Sequence, residues 1–293
     1  MESIPQIFDR KLLAGRRGRA AGSFADARFL YDEIGQRLIT RLAEIKRNFA
    51  LAVNLGAMDG HLTPLLKAHD IRDVIELELA EGLSSPNPLR AISDEEWLPL
   101  KPQSIDLIIS NLALHWVNDL PGALAQIRLA LKPDGLFMGA VLGGETLFEL
   151  RRCLMEAEMA ALGGISPRLS PLTELRDMGA LLQRAGLALP VVDRETITVT
   201  YADPIKLLYD LRAMGATNAT HNRPRTPMRR TVLLDALRRY RDCFMVEDNR
   251  VQATFEVFYL SGWAPHESQQ KPLPRGSAQH SLSDALKPLH QQR

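Results

Sequence analysis

The sequence predicts an α/β fold of the Rossmann-like kind, with a mainly parallel sheet and helices on both faces. From residue 50 onward, short apolar runs alternate with segments of helical periodicity, which is typical of strand-helix-strand units. A glycine-containing turn, "NLGAMDG", follows the first of these runs. The chain has 293 residues and 45% of them are hydrophobic, so one large domain can bury a sizeable core.

Six short apolar runs are predicted to be strands, and most of the segments between them are predicted to be helices. The strands cover residues 50–55, 72–79, 104–111, 136–143, 191–201 and 251–263. The helices cover residues 61–69, 119–131, 145–162, 172–186, 205–215 and 228–243. Asp119 and Pro121 suit a helix start, because the carboxylate accepts a free backbone N–H and proline has none to leave unpaired.

Three segments flank or interrupt the α/β domain, which we place at residues 46–264. Residues 1–45 are predicted to be a basic arm and then an amphipathic helix, in which apolar side chains recur at helical spacing. Residues 202–249 lie between the last two strands and are too long for an ordinary connection. We therefore expect them to form a helical insert that covers the ligand cleft, which in such folds lies at the carboxyl ends of the strands. Residues 265–293 are polar and contain prolines, which predicts a flexible tail.

Charge and composition disfavour several classes of function. The 36 basic and 35 acidic residues leave a formal charge of +1, so no global field attracts nucleic acid. Cys153 and Cys243 lie far apart and in no metal-binding spacing, so neither a disulfide framework nor a metal site is predicted. No apolar run approaches the roughly 20 residues that span a bilayer. Association with a membrane is therefore expected to be peripheral if it occurs.

Candidate ligand-binding residues fall at the ends of successive strands, where open α/β sheets bind their ligands. Gly56 and Gly60 let a backbone approach a ligand, although such a loop is about as often a structural turn. Glu78 ends the next strand, where a carboxylate can accept ribose hydroxyls, and a solvated acid is the alternative. Asp94 and Glu95 precede an apolar stretch and suit a purine, although acidic runs are more commonly solvated.

The strand at residues 104–111 is followed by polar and aromatic side chains on the side where a substrate would lie. Asn111 ends the strand, and His115 and Trp116 follow it. His115 can serve as a base near neutral pH if its pKa is close to the usual value, and Trp116 offers a flat face to a guanidinium. The alternative is that Trp116 caps the core and His115 is exposed.

The motif series resembles that of class I S-adenosylmethionine-dependent methyltransferases, including the malonyl-carrier-protein methyltransferases of biotin synthesis. The motifs are "NLGAMDG", "LELAEGL", "SDEEWLPLKPQSIDLIISNLALHW" and "LKPDGLF". Further segments resemble more closely the mitochondrial complex I assembly factors described as protein-arginine hydroxylases, and their bacterial relatives. These segments include "IFDRKL", "SNLALHWVNDLPGAL", "GGISPRLSP", "DLRAMGATNA" and "HESQQKPLPRGSA". The resemblance runs from about Ile7 to Leu286 and extends beyond the cofactor core, which makes it specific.

The resemblance implies a seven-stranded class I methyltransferase fold with S-adenosylmethionine as cofactor. By motif, the implied cofactor-binding residues are Asn54, Gly56, Gly60, Glu78, Asp94, Glu95 and Asn111. Two positions depart from the family pattern, because Asn54 stands where an acid is usual and Met58 where a glycine is usual. A neutral amide cannot pair with the ammonium group of the methionine moiety, so we expect affinity to be weaker by about tenfold.

Three functions remain open from the sequence. The first is methyl transfer from S-adenosylmethionine to a protein, with a subunit of respiratory complex I as the implied target. The second is hydroxylation of an arginine in such a subunit, which rests on the resemblance alone because no H-x-D or H-x-E pair supplies an iron site. The third is a non-catalytic assembly chaperone. The resemblance implies the cytoplasm in a bacterium and the matrix side in a mitochondrion.

Overall fold

Apolar runs of the sequence form one sheet in the computed structural model, which describes residues 6–270 and Ser277. Within these residues the strands are β1 (Leu51–Leu55), β2 (Asp73–Glu78), β3 (Arg90–Ile92), β4 (Ile105–Asn111), β5 (Leu131–Leu142), β6 (Ala188–Tyr201) and β7 (Val251–Trp263). The α-helices are α1 (Arg10–Ala27), α2 (Phe29–Ala43), α3 (Leu62–Ala68), α4 (Leu120–Ala130), α5 (Phe148–Leu162), α6 (Leu175–Arg184), α7 (Pro204–Ala213) and α8 (Arg230–Phe244). Short 3-10 turns lie at Leu114–Trp116 and Glu247–Asn249.

The sheet has the strand order β3-β2-β1-β4-β5-β7-β6. Parallel pairing joins β3 to β2, β2 to β1, β1 to β4 and β4 to β5. β7 is antiparallel to both of its neighbours, β5 and β6. The predicted mainly parallel seven-stranded sheet is therefore confirmed. Because β1, β2 and β4 are parallel neighbours, their carboxyl ends meet at one edge, where this class of sheet binds ligands.

Side chains that alternate along β1 pack into two separate cores. Ala52 belongs to the larger hydrophobic cluster, together with Leu38 of α2. Val53 belongs to a second cluster, together with Leu124 of α4 and Leu182 of α6. Successive side chains of a strand point to opposite faces, so a strand with apolar side chains on both faces requires helices on both faces of the sheet.

The basic segment before α2 is a helix rather than an arm, which corrects the expectation from the sequence. α1 begins after Asp9, whose side chain accepts a hydrogen bond from the backbone N–H of Leu12 at 2.9 Å. α1 packs against α7, a helix of the predicted insert. α2 is the predicted amphipathic helix, although its first residue, Phe29, is 39% exposed.

The remaining segments agree with the sequence in outline. α7 and α8 lie between β6 and β7, within the predicted insert at residues 202–249. β3 was not predicted, because its three residues are exposed or half-buried and show no apolar run. The tail predicted at residues 265–293 falls mostly outside the described residues. None of the helices in the described residues is long and apolar enough to span a membrane.

Candidate functional site

The loop after β1 is held in a left-handed backbone conformation at three positions. Gly56, Met58 and Gly60 have φ angles of 71°, 52° and 80°. The backbone N–H of Gly56 donates to the carbonyl of Leu77 at 2.8 Å, which ties the loop to β2. The Met58 side chain is 1% exposed and belongs to the larger core cluster. Its bulk is therefore accommodated by the core.

Glu78, at the end of β2, faces this loop. Its Oε2 accepts from the backbone N–H of Met58 at 2.8 Å, and its Oε1 accepts from that of Ala80 at 3.0 Å. The side chain is fully buried. Two backbone donors therefore hold a carboxylate at the carboxyl edge of the sheet, beside the glycine loop.

Asp94 and Glu95 lie at the same edge, after β3, and two arginines of α1 bind them. Arg10 Nη2 lies 2.6 Å from Asp94 Oδ1 and also contacts Glu95. Arg17 Nη1 lies 3.3 Å from Glu78 Oε1 and 3.4 Å from Glu95 Oε1. The structure thus brings the predicted acids together around guanidinium groups that the sequence did not assign to the site.

Charge balance explains how Arg17 tolerates nearly complete burial, with a side chain only 2% exposed. Burial alone lowers the pKa of a guanidinium, but the charges of Glu78 and Glu95 outweigh it and raise the pKa of Arg17. One of its nitrogens, Nη2, is buried without a hydrogen-bond partner in the described residues. Arg17 is therefore held in the cleft by charge, with incomplete hydrogen bonding.

Backbone contacts hold α1 over the cleft. A β-carbon placed on Gly82 would lie 2.8 Å from Gly18 Cα, so only glycine allows the helix to approach this segment. A β-carbon placed on Gly215 would likewise lie 3.0 Å from Arg17 Cα. α1 therefore covers the predicted cofactor residues, and α7 of the insert packs against α1.

Asn54 and Gly60 contact a buried network beside the cleft. Asn54 Nδ2 lies 3.4 Å from Thr63 Oγ1, and that hydroxyl donates to Glu76 Oε1 at 2.6 Å. A β-carbon on Gly60 would lie 2.3 Å from Ser85 Oγ and 2.7 Å from Glu76 Oε1. Substitution of Gly60 by a larger residue is therefore expected to damage the fold as well as any ligand site.

Asn111, at the end of β4, is fixed by neighbours in other elements. Its Nδ2 donates to the carbonyl of Tyr31 at 2.9 Å and lies 3.2 Å from His61 Nε2, while its Oδ1 is buried without a partner in the described residues. His61 in turn lies 3.0 Å from Asp59. Partial burial raises the pKa of Asp59, but hydrogen bonds from His61 and Arg28 outweigh it and lower the pKa to about 2.

His115 and Trp116 line a cavity of about 450 Å³, together with residues of the insert helices α7 and α8. His115 Nδ1 is buried without a partner in the described residues, and burial lowers the pKa of the imidazole to about 3. The condition for a base near neutral pH is therefore not met. Trp116 is 5% exposed and packs edge-on against Phe8, with ring centroids 5.5 Å apart. Trp97 belongs to the apolar stretch after Asp94 that was expected to pack against a purine. It is 78% exposed, so it forms no apolar wall there.

Replacing His115 by glutamine is expected to make the protein less sensitive to mild acid. Burial, and then the charge of Arg17, lower the pKa of His115 from 6.5 to about 3. Between these values the unfolded chain binds a proton here and the folded chain does not, so folding stability falls as pH drops. Thermal unfolding at pH 7 and pH 5 should show a relative gain in Tm for His115→Gln at the lower pH. The exposed His69, replaced in the same way, should show no such gain; equal behaviour of the two variants would contradict the argument.

Comparison with known proteins identifies the family of this site. Residues 27–190 match the family model described as a methyltransferase domain. The chain is 42% identical over 286 residues to the Homo sapiens protein "Arginine-hydroxylase NDUFAF5, mitochondrial", an alignment that covers 95% of this chain and 83% of that protein. It is 33% identical over 305 residues to the malonyl-[acyl-carrier protein] O-methyltransferase of Methylovorus sp. (strain MP688), covering 99% of this chain and 97% of that protein.

Solved structures show the same fold. The YcgJ protein of Bacillus subtilis matches with a TM-score of 0.54 at 14% identity, covering 79% of this chain and 99% of its own. A Bacillus halodurans C-125 protein assigned to the methyltransferases matches with a TM-score of 0.53 at 14% identity, covering 78% of this chain and 97% of its own. At this identity the likeness concerns the fold alone. From the family model and the sequence relatives together, the chain belongs to the class I methyltransferase superfamily and, within it, to the family of the NDUFAF5 arginine-hydroxylases.

Proposed function

We propose that this protein is an S-adenosylmethionine-dependent enzyme that methylates a protein during assembly of respiratory complex I. The observation that carries the proposal is the convergence of Glu78, Asp94 and Glu95 beside the glycine loop after β1. Membership of the methyltransferase superfamily supports the cofactor. Similarity to the NDUFAF5 proteins supports the target. The corresponding compartments are the bacterial cytoplasm and the matrix side of mitochondria.

The residues in the cleft fit a nucleoside in kind and position. Glu78 offers carboxylate oxygens to ribose hydroxyls, and Asp94 and Glu95 offer acceptors to an exocyclic amine. S-adenosylmethionine would supply the methyl group. The guanidinium groups of Arg10 and Arg17 contact the same acids, so α1 competes with the cofactor for them. Binding therefore requires that at least part of α1 withdraws from the cleft.

The chain's own contribution to methyl transfer is positioning. Such a transfer needs reacting atoms held in line, and a base is not always required. His115 is neutral at physiological pH, because burial lowers its pKa to about 3, so it can donate or accept a hydrogen bond without carrying charge. Asn111 Oδ1, buried and without a partner in the described residues, offers an acceptor at the end of β4.

Arginine hydroxylation is the second candidate, and the observation that favours it is the 42% identity to a protein of that name. The two reactions leave different masses on the target: about 14 Da for a methyl group and about 16 Da for an oxygen atom. Mass spectrometry of complex I subunits from cells with and without this gene would distinguish them. An unmodified subunit in both cells would favour a non-catalytic assembly chaperone.

Replacing Arg10 by methionine is expected to tighten S-adenosylmethionine binding by about tenfold, because a charge-assisted contact to the cleft acids is removed from the competing helix. Arg16→Met is the matched control, since Arg16 lies on the same helix but donates to the carbonyls of Thr217 and Asn218. Calorimetric titration measures both variants. Absence of saturable heat in every variant would contradict the cofactor assignment, and equal affinities would contradict competition by α1.

Hydrogen exchange provides a readout that does not depend on catalysis. S-adenosylmethionine should slow exchange of the amides at residues 56–60, where the glycine loop would contact the cofactor. It should speed exchange in α1, which would leave the cleft. α6 packs on the second core and serves as an internal reference that should not change. Protection of α1 by the cofactor would contradict its withdrawal.

A further inference from the structure

The cavity beside His115 and Trp116 is suited to an apolar ligand by its size and its walls. Its volume of about 450 Å³ lies in the range of cavities that hold small organic molecules. Its walls are mainly aliphatic and aromatic, contributed by several elements. They include Leu112, Leu142, Leu150, Leu154, Leu208 and Phe255. The cavity therefore offers a ligand a hydrophobic environment with few polar contacts.

The arginines of this cavity differ in whether they already have partners. Arg168 lies 2.7 Å from Glu158 in an ion pair. Arg151 donates to the backbone carbonyls of Gly144 and Thr146, at 2.9 Å and 3.2 Å. Arg212, at the end of α7, makes no ion pair among the described residues. Of these three arginines, Arg212 is therefore the one that is available to a ligand.

A second pocket, of about 570 Å³, adjoins the first and is basic. Arg16, Arg19, Ser23, Arg212 and Thr217 line it. Arg212 and Thr217 line both pockets, so the apolar and the basic regions meet at these two residues. The molecule thus carries a hydrophobic chamber that opens beside a cluster of positive charge.

This basic pocket has no carboxylate among its lining residues. Burial, and then the charges of Arg223 and Arg19, lower the pKa of Arg16, while Asp9 opposes the shift. Arg19, like Arg212, makes no ion pair in the part of the chain that the structure describes. Two exposed cations, Arg19 and Arg212, therefore line a pocket beside an apolar cavity, and their charge favours binding of an anion.

We propose that the two pockets together bind an amphipathic anion, with a long apolar chain in the chamber and a carboxylate or phosphate at Arg19 and Arg212. Arg16 lies beside them and keeps its hydrogen bonds to the carbonyls of Thr217 and Asn218. Binding is favoured because the apolar chain of the ligand leaves water and packs against the leucine-rich walls of the cavity. The anionic end gains charge-assisted hydrogen bonds from guanidinium groups that otherwise lack a counter-ion. The site uses α1 and α7 and none of the cleft acids, so the anion can bind without the proposed cofactor. Because Arg19 lies on α1, withdrawal of α1 for the cofactor would disturb the anionic end of the site.

Titration of the full-length protein with oleate, below the concentration at which oleate forms micelles, tests the proposal. Oleate should bind saturably and at least about tenfold more tightly than oleyl alcohol, which has the chain without the charge, or acetate, which has the charge without the chain. Equal binding of oleate and the alcohol, or no saturable binding of oleate, would overturn it. The titration contains no S-adenosylmethionine, so its failure is distinct from failure of the proposed function.

Two exposed arginines allow the site to be altered without disturbing the core. Arg19→Gln and Arg212→Gln should each weaken oleate binding by about tenfold, whereas Arg184→Gln, at an exposed position on α6, should not. Equal affinity in all three variants would overturn the proposal. Incubation with vesicles of phosphatidylcholine and phosphatidylglycerol distinguishes the source of the ligand. Removal of phosphatidylglycerol by the protein supports a lipid headgroup, and oleate binding without lipid removal supports a free carboxylate.

Discussion

Replacing Arg17 by methionine is expected to lower the free energy of unfolding by about 3–5 kcal/mol at neutral pH. Glu78 and Glu95 are both fully buried, and Arg17 Nη1 lies within 3.4 Å of each. Removal of the cation leaves two carboxylates close together in a site that water cannot screen. Urea denaturation, followed by circular dichroism, measures the loss. Backbone donors to Glu78 and the contact of Arg10 with Glu95 remain, so the lower end of this range is expected.

A control variant tests the cause of this loss. Arg16→Met is the matched control on the same helix, since Arg16 donates to backbone carbonyls rather than to buried acids. A loss no larger than that of Arg16→Met would show that this ion network does not stabilise the position of α1.

Replacing Gly82 by valine is expected to release α1 from the cleft while the sheet stays folded. A β-carbon at Gly82 would lie 2.8 Å from Gly18 Cα and 2.9 Å from Gly18 O. Both are backbone atoms of α1, so the clash can be relieved only by moving the helix or the β2–β3 segment. Hydrogen exchange should therefore quicken throughout α1 and remain slow in β1 and β4.

Gly22→Ala is the matched control, because it lies on α1 and a β-carbon there meets no atom within 4 Å. Alanine is the better helix former, so this variant should be more stable by roughly 0.5–1 kcal/mol. Full protection of α1 in Gly82→Val would show that the close approach of Gly18 and Gly82 is not needed. Loss of protection in the sheet as well would show that α1 and the sheet unfold as one unit.

The candidate cofactor residues at the carboxyl edge of the sheet could be predicted from the sequence, because the patterns that indicate them are local in the chain. A glycine loop directly after a buried strand and an acid about 20 residues further on place Gly56, Gly60 and Glu78 at adjacent parallel strand ends. The start of α4 was predictable in the same way, since Asp119 accepts from the backbone N–H of Gly122 at 2.9 Å. Roles of these residues in binding a cofactor stay a prediction.

The sequence pattern did not predict α1, because one of the core positions of this helix is an arginine. The buried residues of this helix are Leu13, Arg17, Ala20, Phe24 and Ala27, spaced alternately by four and three residues. This is the spacing of a buried helical face, but a charge at its second position interrupts the apolar pattern. Arg17 can occupy that position only because Glu78 and Glu95, distant in the sequence, neutralise it.

The sequence by itself determined the sheet, its mainly parallel pairing and the edge at which the acids collect, because strand periodicity and connection rules act over short stretches of chain. Tertiary structure alone decided what covers that edge and how its groups are charged. α1 lies over the acids, and burial keeps His115 neutral by lowering its pKa to about 3. Both outcomes depend on desolvation and on charges brought together from distant segments, and no local pattern encodes either.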